Sequence, residues 1–292
     1  MRKLIFRLRP ADTVTILFLL FLTVLTIIFY RDIPKAPSLI ITYLILIISQ
    51  AIILRFKNQG RFLGLFYDLV FPTICVLIVF DSLGRLVHYI NPKDIDPLLI
   101  RLDYLIFDSH PTIMLERIMS PLLTDILQLA YMTYYFIPIS FAAILLLKNQ
   151  RQEYNRTLFL ILFCFYLSYL SYILMPALGP RFTISHLQNT DLQGLFIAGQ
   201  IQKFLNQLEG IKRDAFPSGH TAIPLVVLYL AYRFNRRLFW IFLPIVLALI
   251  FSTVYCRYHY VVDIIGGFGL AILTILLGEI LYKWWLREQC ET

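Results

Sequence analysis

Two histidines carry the strongest chemical signal in this chain. His259 stands four residues before Asp263 in the string Arg257-Tyr258-His259-Tyr260-Val261-Val262-Asp263, and His220 closes the string Pro217-Ser218-Gly219-His220. If a helix begins near Tyr258, positions 259 and 263 share one of its faces. The carboxylate can then accept from one ring nitrogen, fix the tautomer and leave the other nitrogen's lone pair facing a substrate. His220 supplies a second imidazole, suited to protonating a leaving oxygen. Arg181 and Arg257 can clamp anionic oxygens with charge-assisted bonds. The amides of Ser218 and Gly219 open a helix whose positive dipole end favours the same charge. Phosphoryl transfer asks mainly for positioning and for stabilisation of negative charge, and this inventory supplies both. It offers no carboxylate cluster or closed ligand set, so neither a metal nor another cofactor is expected.

The elements that must hold these residues are membrane helices. The chain has 292 residues, 59% of them hydrophobic and 15% charged, which is more apolar surface than one soluble core can hide. About 20 apolar residues cross a hydrocarbon core. Runs at 14–30, 38–54, 63–80, 122–147, 158–175, 220–232, 238–256 and 261–285 give an all-α, polytopic bundle of about eight spans. The sixth run is short and interrupted by Pro224. The first run lacks a small-residue cleavage site and reads as an anchor. With a cytoplasmic N-terminus (Arg2, Lys3, Arg7, Arg9), fifteen of the 26 lysines and arginines fall in short cytoplasmic connections, as retention of such residues requires. That topology puts Arg181, Ser218 to His220 and Arg257 to Asp263 together on the non-cytoplasmic face. The net charge of +8 punctuates spans and forms no basic stripe, so anionic headgroups are expected as counterions and nucleic acid is not.

Two outer connections are long, 81–121 and 176–218, and the site should be built there. Segment 96–116 is apolar but broken by Arg101, Asp103 and Asp108, and reads as an interfacial helix or, alternatively, as a plain connector between two spans. His88, His110 and His186 read as structural or interfacial. The tyrosines and phenylalanines read as lipid-facing and are given no role, and Gly266-Gly267 reads as a site of close helix approach. The four cysteines form no disulfide framework or zinc spacing.

Pro-Ser-Gly-His at 217–220 with His-x-x-x-Asp at 259–263 resembles the type-2 phosphatidic acid phosphatase superfamily, matching its second and third motifs in order and spacing. The resemblance implies a six-span catalytic core at 61–292, preceded at 1–60 by two additional spans. It also implies a phosphohistidine formed on His259, Asp263 as its orienting carboxylate, His220 as acid and then base, and no metal. Position 174 is Leu where the family's first motif has lysine, Phe182 follows Arg181 where it has proline, and Thr253 stands where the third motif has arginine. Arg257 is the substitute for that arginine. Met-Pro-Ala-Leu-Gly-Pro-Arg at 175–181 with Arg-Tyr-His-Tyr-x-x-Asp is more similar to the branch containing inositol phosphorylceramide synthases, which passes a phosphorylated headgroup between lipids.

The expected function is therefore phosphoryl transfer on a lipid phosphate, as phosphatase or as headgroup transferase. A bacterial inner membrane is expected, with a eukaryotic Golgi-type membrane as the alternative. A multi-span glycosyltransferase using Asp81, Asp94 or Asp96 is a second reading, and leaves both histidines unexplained. The third is a non-catalytic lipid-phosphate transporter.

Overall fold

The computed structural model describes residues 8–209 and 213–291, so Arg2, Lys3 and Arg7 of the charge pattern lie outside the described residues. The chain runs through α1 (Pro10–Ile28), α2 (Ala36–Phe56), α3 (Arg61–Ile90), α4 (Asp96–Phe107), α5 (Pro121–Leu147), α6 (Arg151–Leu174), α7 (Ala198–Glu209), α8 (Gly219–Phe234), α9 (Arg236–Tyr255) and α10 (Val261–Glu291). Among the described residues no strand forms, and Ala177 and Asp214 make an isolated parallel bridge. Helix starts follow local chemistry. Proline occupies the first turn of α1, α2, α4 and α5, where its missing N–H costs nothing. Ser120 and Asn235 cap α5 and α9 by accepting from the Leu123 and Leu238 amides.

Among the described residues seven helices are long and apolar enough to cross a membrane, and the chain is an integral multi-pass membrane protein. Leu17, Ile45, Leu247 and Ile272 are among the large apolar side chains on the outside of the bundle, where lipid is the natural solvent. α6 sits at the centre, packed by α1, α3, α5, α8 and α10. The expected sixth span is α8, a helix of 16 residues and so about 24 Å long, short of a roughly 30 Å hydrocarbon core. It packs against α5, α6, α9 and α10, and His220 lies in its first turn.

The 96–116 segment is divided. α4 ends at Phe107, and a short turn of helix at Pro111–Met114 runs into a tighter one at Leu115–Ile118. One face of α4 buries Asp96, Leu99 and Asp103, and the other exposes Leu98, Leu105 and Ile106. It is tied to the start of α10 and is more than a connector.

Candidate active site

The reversal between α9 and α10 places the first histidine. Arg257 adopts a positive φ of 64°, a strained value for a residue with a Cβ. The amides of Tyr258 and His259 then both donate to the Thr253 carbonyl, at 2.9 and 3.0 Å. Thr253, at the family's arginine position, is thus a buried turn residue. Two carboxylates satisfy the orphan amides that open α10. Asp263 Oδ2 accepts from Tyr260 N–H at 2.9 Å. Asp103, reaching over from α4, accepts from Val262 and Val261 at 2.9 and 3.1 Å. Burial pushes the Asp103 carboxyl above the usual carboxylate range, and those two amides pull it back. Asp103→Ala should cost about 0.5–2 kcal/mol, as loss of a helix cap does. It should also loosen the turn that carries His259, so a thermal melt and a turnover assay should fall together.

The predicted pairing is present. His259 Nδ1 lies 3.2 Å from Asp263 Oδ2, and His259 Nε2 lies 3.4 Å from His220 Nδ1. Asp263 has no exposed surface and His259 is 4% exposed. With Nδ1 donating to the carboxylate, Nε2 turns its lone pair toward His220. Asp263, His259 and His220 therefore form one line. Ser218 and Gly219 lie beside it, because Ser218 N–H donates to the Asp263 carbonyl at 2.9 Å. That approach needs Gly267, where a Cβ would stand 2.7 Å from the Ser218 carbonyl; close approach is its role, as read from the sequence.

The arginines are placed differently. Arg181 joins the same end, its amide donating to the Arg257 carbonyl at 3.1 Å and its guanidinium 5.1 Å from the ring centre of Tyr258. The Arg257 guanidinium is held by Glu116 at 2.8 Å and by the Thr190 carbonyl. Burial lowers its pKa from the usual arginine value and Glu116 opposes that shift. The structure thus gathers His220, His259, Asp263, Ser218 and Gly219 around one line and turns Arg257 toward an acid.

Several neighbours carry no signal in the linear sequence. The His220 ring is flanked by Tyr131 and Tyr134 of α5, with ring centres 4.5 and 4.0 Å away, so two tyrosines read as lipid-facing instead pack on an imidazole. Asp96 accepts from the Leu178 and Gly179 amides and from the Tyr260 hydroxyl, at 2.7, 2.9 and 2.9 Å. Gly179 itself has a φ of 91° and passes so close to Tyr258 that a Cβ would meet its carbonyl at 2.7 Å. The spacing of Asp96, Leu99 and Asp103, three and then four residues apart, is the signal that could have marked a buried face on α4. The acids of the glycosyltransferase reading are already engaged: Asp96 as above, Asp94 with Arg213 at 3.0 Å and Asp81 with Arg85 at 3.6 Å. His88 and His110 contact Tyr89 and Tyr104, and His186 is exposed in the 185–187 turn.

A cleft lies between α3 and α5, with α6 behind it. Its walls are mainly apolar, including Val76, Leu77, Ile139, Leu162 and Phe165. His220, Asp214, Tyr134 and Tyr172 stand at one end and Asp68 at the other.

Residues 99–277 match the PAP2 superfamily. Over 109 residues the chain is 27% identical to a PA-phosphatase related-family protein of Dictyostelium discoideum, a stretch covering 36% of this chain. The chain spans only 20% of the length of that relative. No solved structure matches. The matched residues run from α4 through α10 and contain both histidines, Asp263 and the turns that hold them, and the chain belongs to the PAP2 superfamily.

Proposed function

We propose that this protein transfers a phosphoryl group from a lipid phosphate through a phosphohistidine on His259, at the non-cytoplasmic face of its membrane. The observation that carries the reading is the line from Asp263 through His259 to His220, which ends in an apolar cleft. A lipid whose tail lies in that cleft brings its phosphate to His220 without leaving the membrane. His259 Nε2 attacks phosphorus while the phosphorus–oxygen bond to the lipid breaks, and the departing oxygen takes a proton from His220. His220 then takes a proton from water or an alcohol, whose oxygen attacks phosphorus and releases His259. Asp263 holds the tautomer and stabilises the imidazolium character that develops. Arg181 and the α8 N-terminus at Gly219 receive the equatorial oxygens, while Ser218, whose N–H is held by the Asp263 carbonyl, keeps that helix start beside His259. Arg257 joins them when phosphate draws it from Glu116.

The cation pattern supports the orientation, since the buried and partly buried ion clusters Arg9–Asp68–Arg151 and Arg156–Glu279–Arg233 involve cations of the expected cytoplasmic connections. α8 serves as the eighth crossing. α4 lies along the interface, its exposed Leu98, Leu105 and Ile106 toward lipid.

The deciding experiment incubates purified protein with lipid carrying a labelled phosphate, with and without a polyol or lipid alcohol. Free phosphate is expected from a lipid monophosphate with water as acceptor, and a phosphate monoester of the added alcohol from the same donor means phosphotransfer; a new phosphodiester, formed when the donor is itself a phosphodiester lipid, identifies a headgroup transferase. No labelled product under either condition would defeat the reading. A cysteine introduced at the exposed Gln200 should react with an impermeant reagent in intact cells. Labelling only in inverted vesicles would reverse the topology.

A further inference from the structure

Asp68 is the cleft residue for which phosphoryl transfer has no use. It lies in a π-helical stretch of α3, Phe66–Val70, a form of helix that recurs at functional positions. Its two carboxylate oxygens accept from Arg9 Nη1 at 2.7 Å and from Arg151 Nη1. Arg9 in turn holds both oxygens of Asp12, at 2.9 and 3.0 Å, and Asp12 accepts from the Tyr67 hydroxyl at 2.6 Å. α5 packs against the same π-helical stretch.

We propose that the cleft is a chain-length gauge: the reactive end seats the phosphate, Asp68, held in place by Arg9 and Arg151, forms the floor, and the distance between them selects lipid phosphates with long tails. The proposal rests on the phosphoryl-transfer reading above. Leu158 and Tyr172 line the cleft fourteen residues apart on α6, about 21 Å at 1.5 Å per residue. One leaflet of a roughly 30 Å hydrocarbon core is about 15 Å deep. A tail reaching the floor therefore passes the midplane.

The selectivity comes from fit and not from escape from water, because the tail starts in hydrocarbon as apolar as the cleft wall. A short tail leaves wall atoms without partners. A long one meets the Asp68 carboxylate, already committed to two guanidiniums. That floor resists yielding, since Asp68 and Arg9 are nearly buried, with side chains 6% and 14% exposed, and parting them would strand a charge. An over-long tail must instead bend out between α3 and α5. Arg9 stands just ahead of α1, so the gauge also gives the N-terminal helices a task in catalysis.

The test measures kcat/KM for a homologous series of saturated alkyl monophosphates in detergent micelles at fixed mole fraction. The wild-type protein should show an optimum at long chains and a fall beyond it. Thr73 and Leu77 both line the cleft, and Leu77 is 42% exposed, so an indole can enter there from the lipid side. Leu77 is four residues, about 6 Å, nearer the reactive end than Thr73. Thr73→Trp should shorten the optimum and Leu77→Trp should shorten it further. The ratio of longest-chain to shortest-chain kcat/KM should drop by roughly tenfold or more, the scale at which a pocket rejects an ill-fitting apolar group. Ile139→Trp fills the cleft from α5 and should act in the same direction, which guards against misfolding of one variant. Identical chain-length profiles in wild type and all three variants would overturn the gauge while leaving phosphoryl transfer intact. Failure of the wild type to turn over any alkyl phosphate, with no phosphohistidine from any donor, would overturn both.

Discussion

His259→Ala should abolish both turnover and the trapped phosphoenzyme with every donor, whereas His220→Ala should lose turnover on alkyl phosphates yet still become phosphorylated by an aryl phosphate. The difference follows from what each ring touches. His259 Nδ1 is 3.2 Å from Asp263 and its Nε2 3.4 Å from His220, so only His259 has both an orienting carboxylate and a nitrogen turned toward the proposed phosphate position. No better leaving group can replace a missing nucleophile. His220 stands at the cleft, where the proposed mechanism puts the departing oxygen. Proton donation matters most when the departing alkoxide is basic, and is worth roughly a hundred- to ten-thousand-fold. An aryl oxide leaves with little help. In His220→Ala the second step then stalls, because the residue that should activate water or alcohol is gone. A phosphohistidine, stable to base and labile to acid, should accumulate. Trapping an intermediate in His259→Ala and none in His220→Ala would show that the two roles are reversed.

Asp263 should separate into two effects that alanine and asparagine resolve. Asp263 Oδ2 accepts from both Tyr260 N–H and His259 Nδ1. In Asp263→Asn the buried Tyr260 amide still demands an acceptor, so the amide oxygen takes that place and continues to accept from Nδ1. The tautomer survives and the charge is lost. Charge-assisted bonds are about twice as strong as neutral ones, so kcat should fall on the order of ten- to a hundredfold. Asp263→Ala removes the acceptor altogether, leaves Tyr260 N–H unpaired and frees the ring to choose the wrong tautomer. Its loss should approach the order of 10⁴-fold seen when a catalytic histidine is held in the wrong tautomer. Equal losses in the two variants, with unchanged melting temperatures, would contradict this division.

Much of the site was legible because its spacing is local. His259 and Asp263 sit one helical turn apart, and any helix that starts near 260 brings them onto one face. Pro217 to His220 stands just ahead of an apolar run, so an amide-rich helix start beside an imidazole follows from four residues. The apolar runs were legible for a similar reason, since the bilayer imposes a length and the chain must meet it. The sixth run, read at 220–232, forms α8 over Gly219–Phe234, a helix that length alone would not mark as a crossing because its 16 residues fall short of the roughly 20 a hydrocarbon core asks for.

The residues that sequence reading missed act across long separations. Asp103 reaches Val261 and Val262 across more than 150 residues, Glu116 takes the Arg257 guanidinium, and Tyr131 and Tyr134 flank His220 from another helix. Nothing in a tyrosine inside an apolar run distinguishes a lipid-facing ring from one packed on a histidine, because both satisfy the same hydropathy. Likewise an aspartate in an interfacial segment has the same composition whether it faces solvent or caps a distant helix.

The sequence by itself therefore determined the solvent of the protein, the helices and the identity of the two histidines and their carboxylate, since these depend on composition and on spacings within a helical turn. Only the tertiary structure decided which arginine is already paired, which acids hold the site loops and where an apolar cleft opens. Those outcomes depend on which faces of distant helices meet, and the packing of the bundle around α6 fixes that.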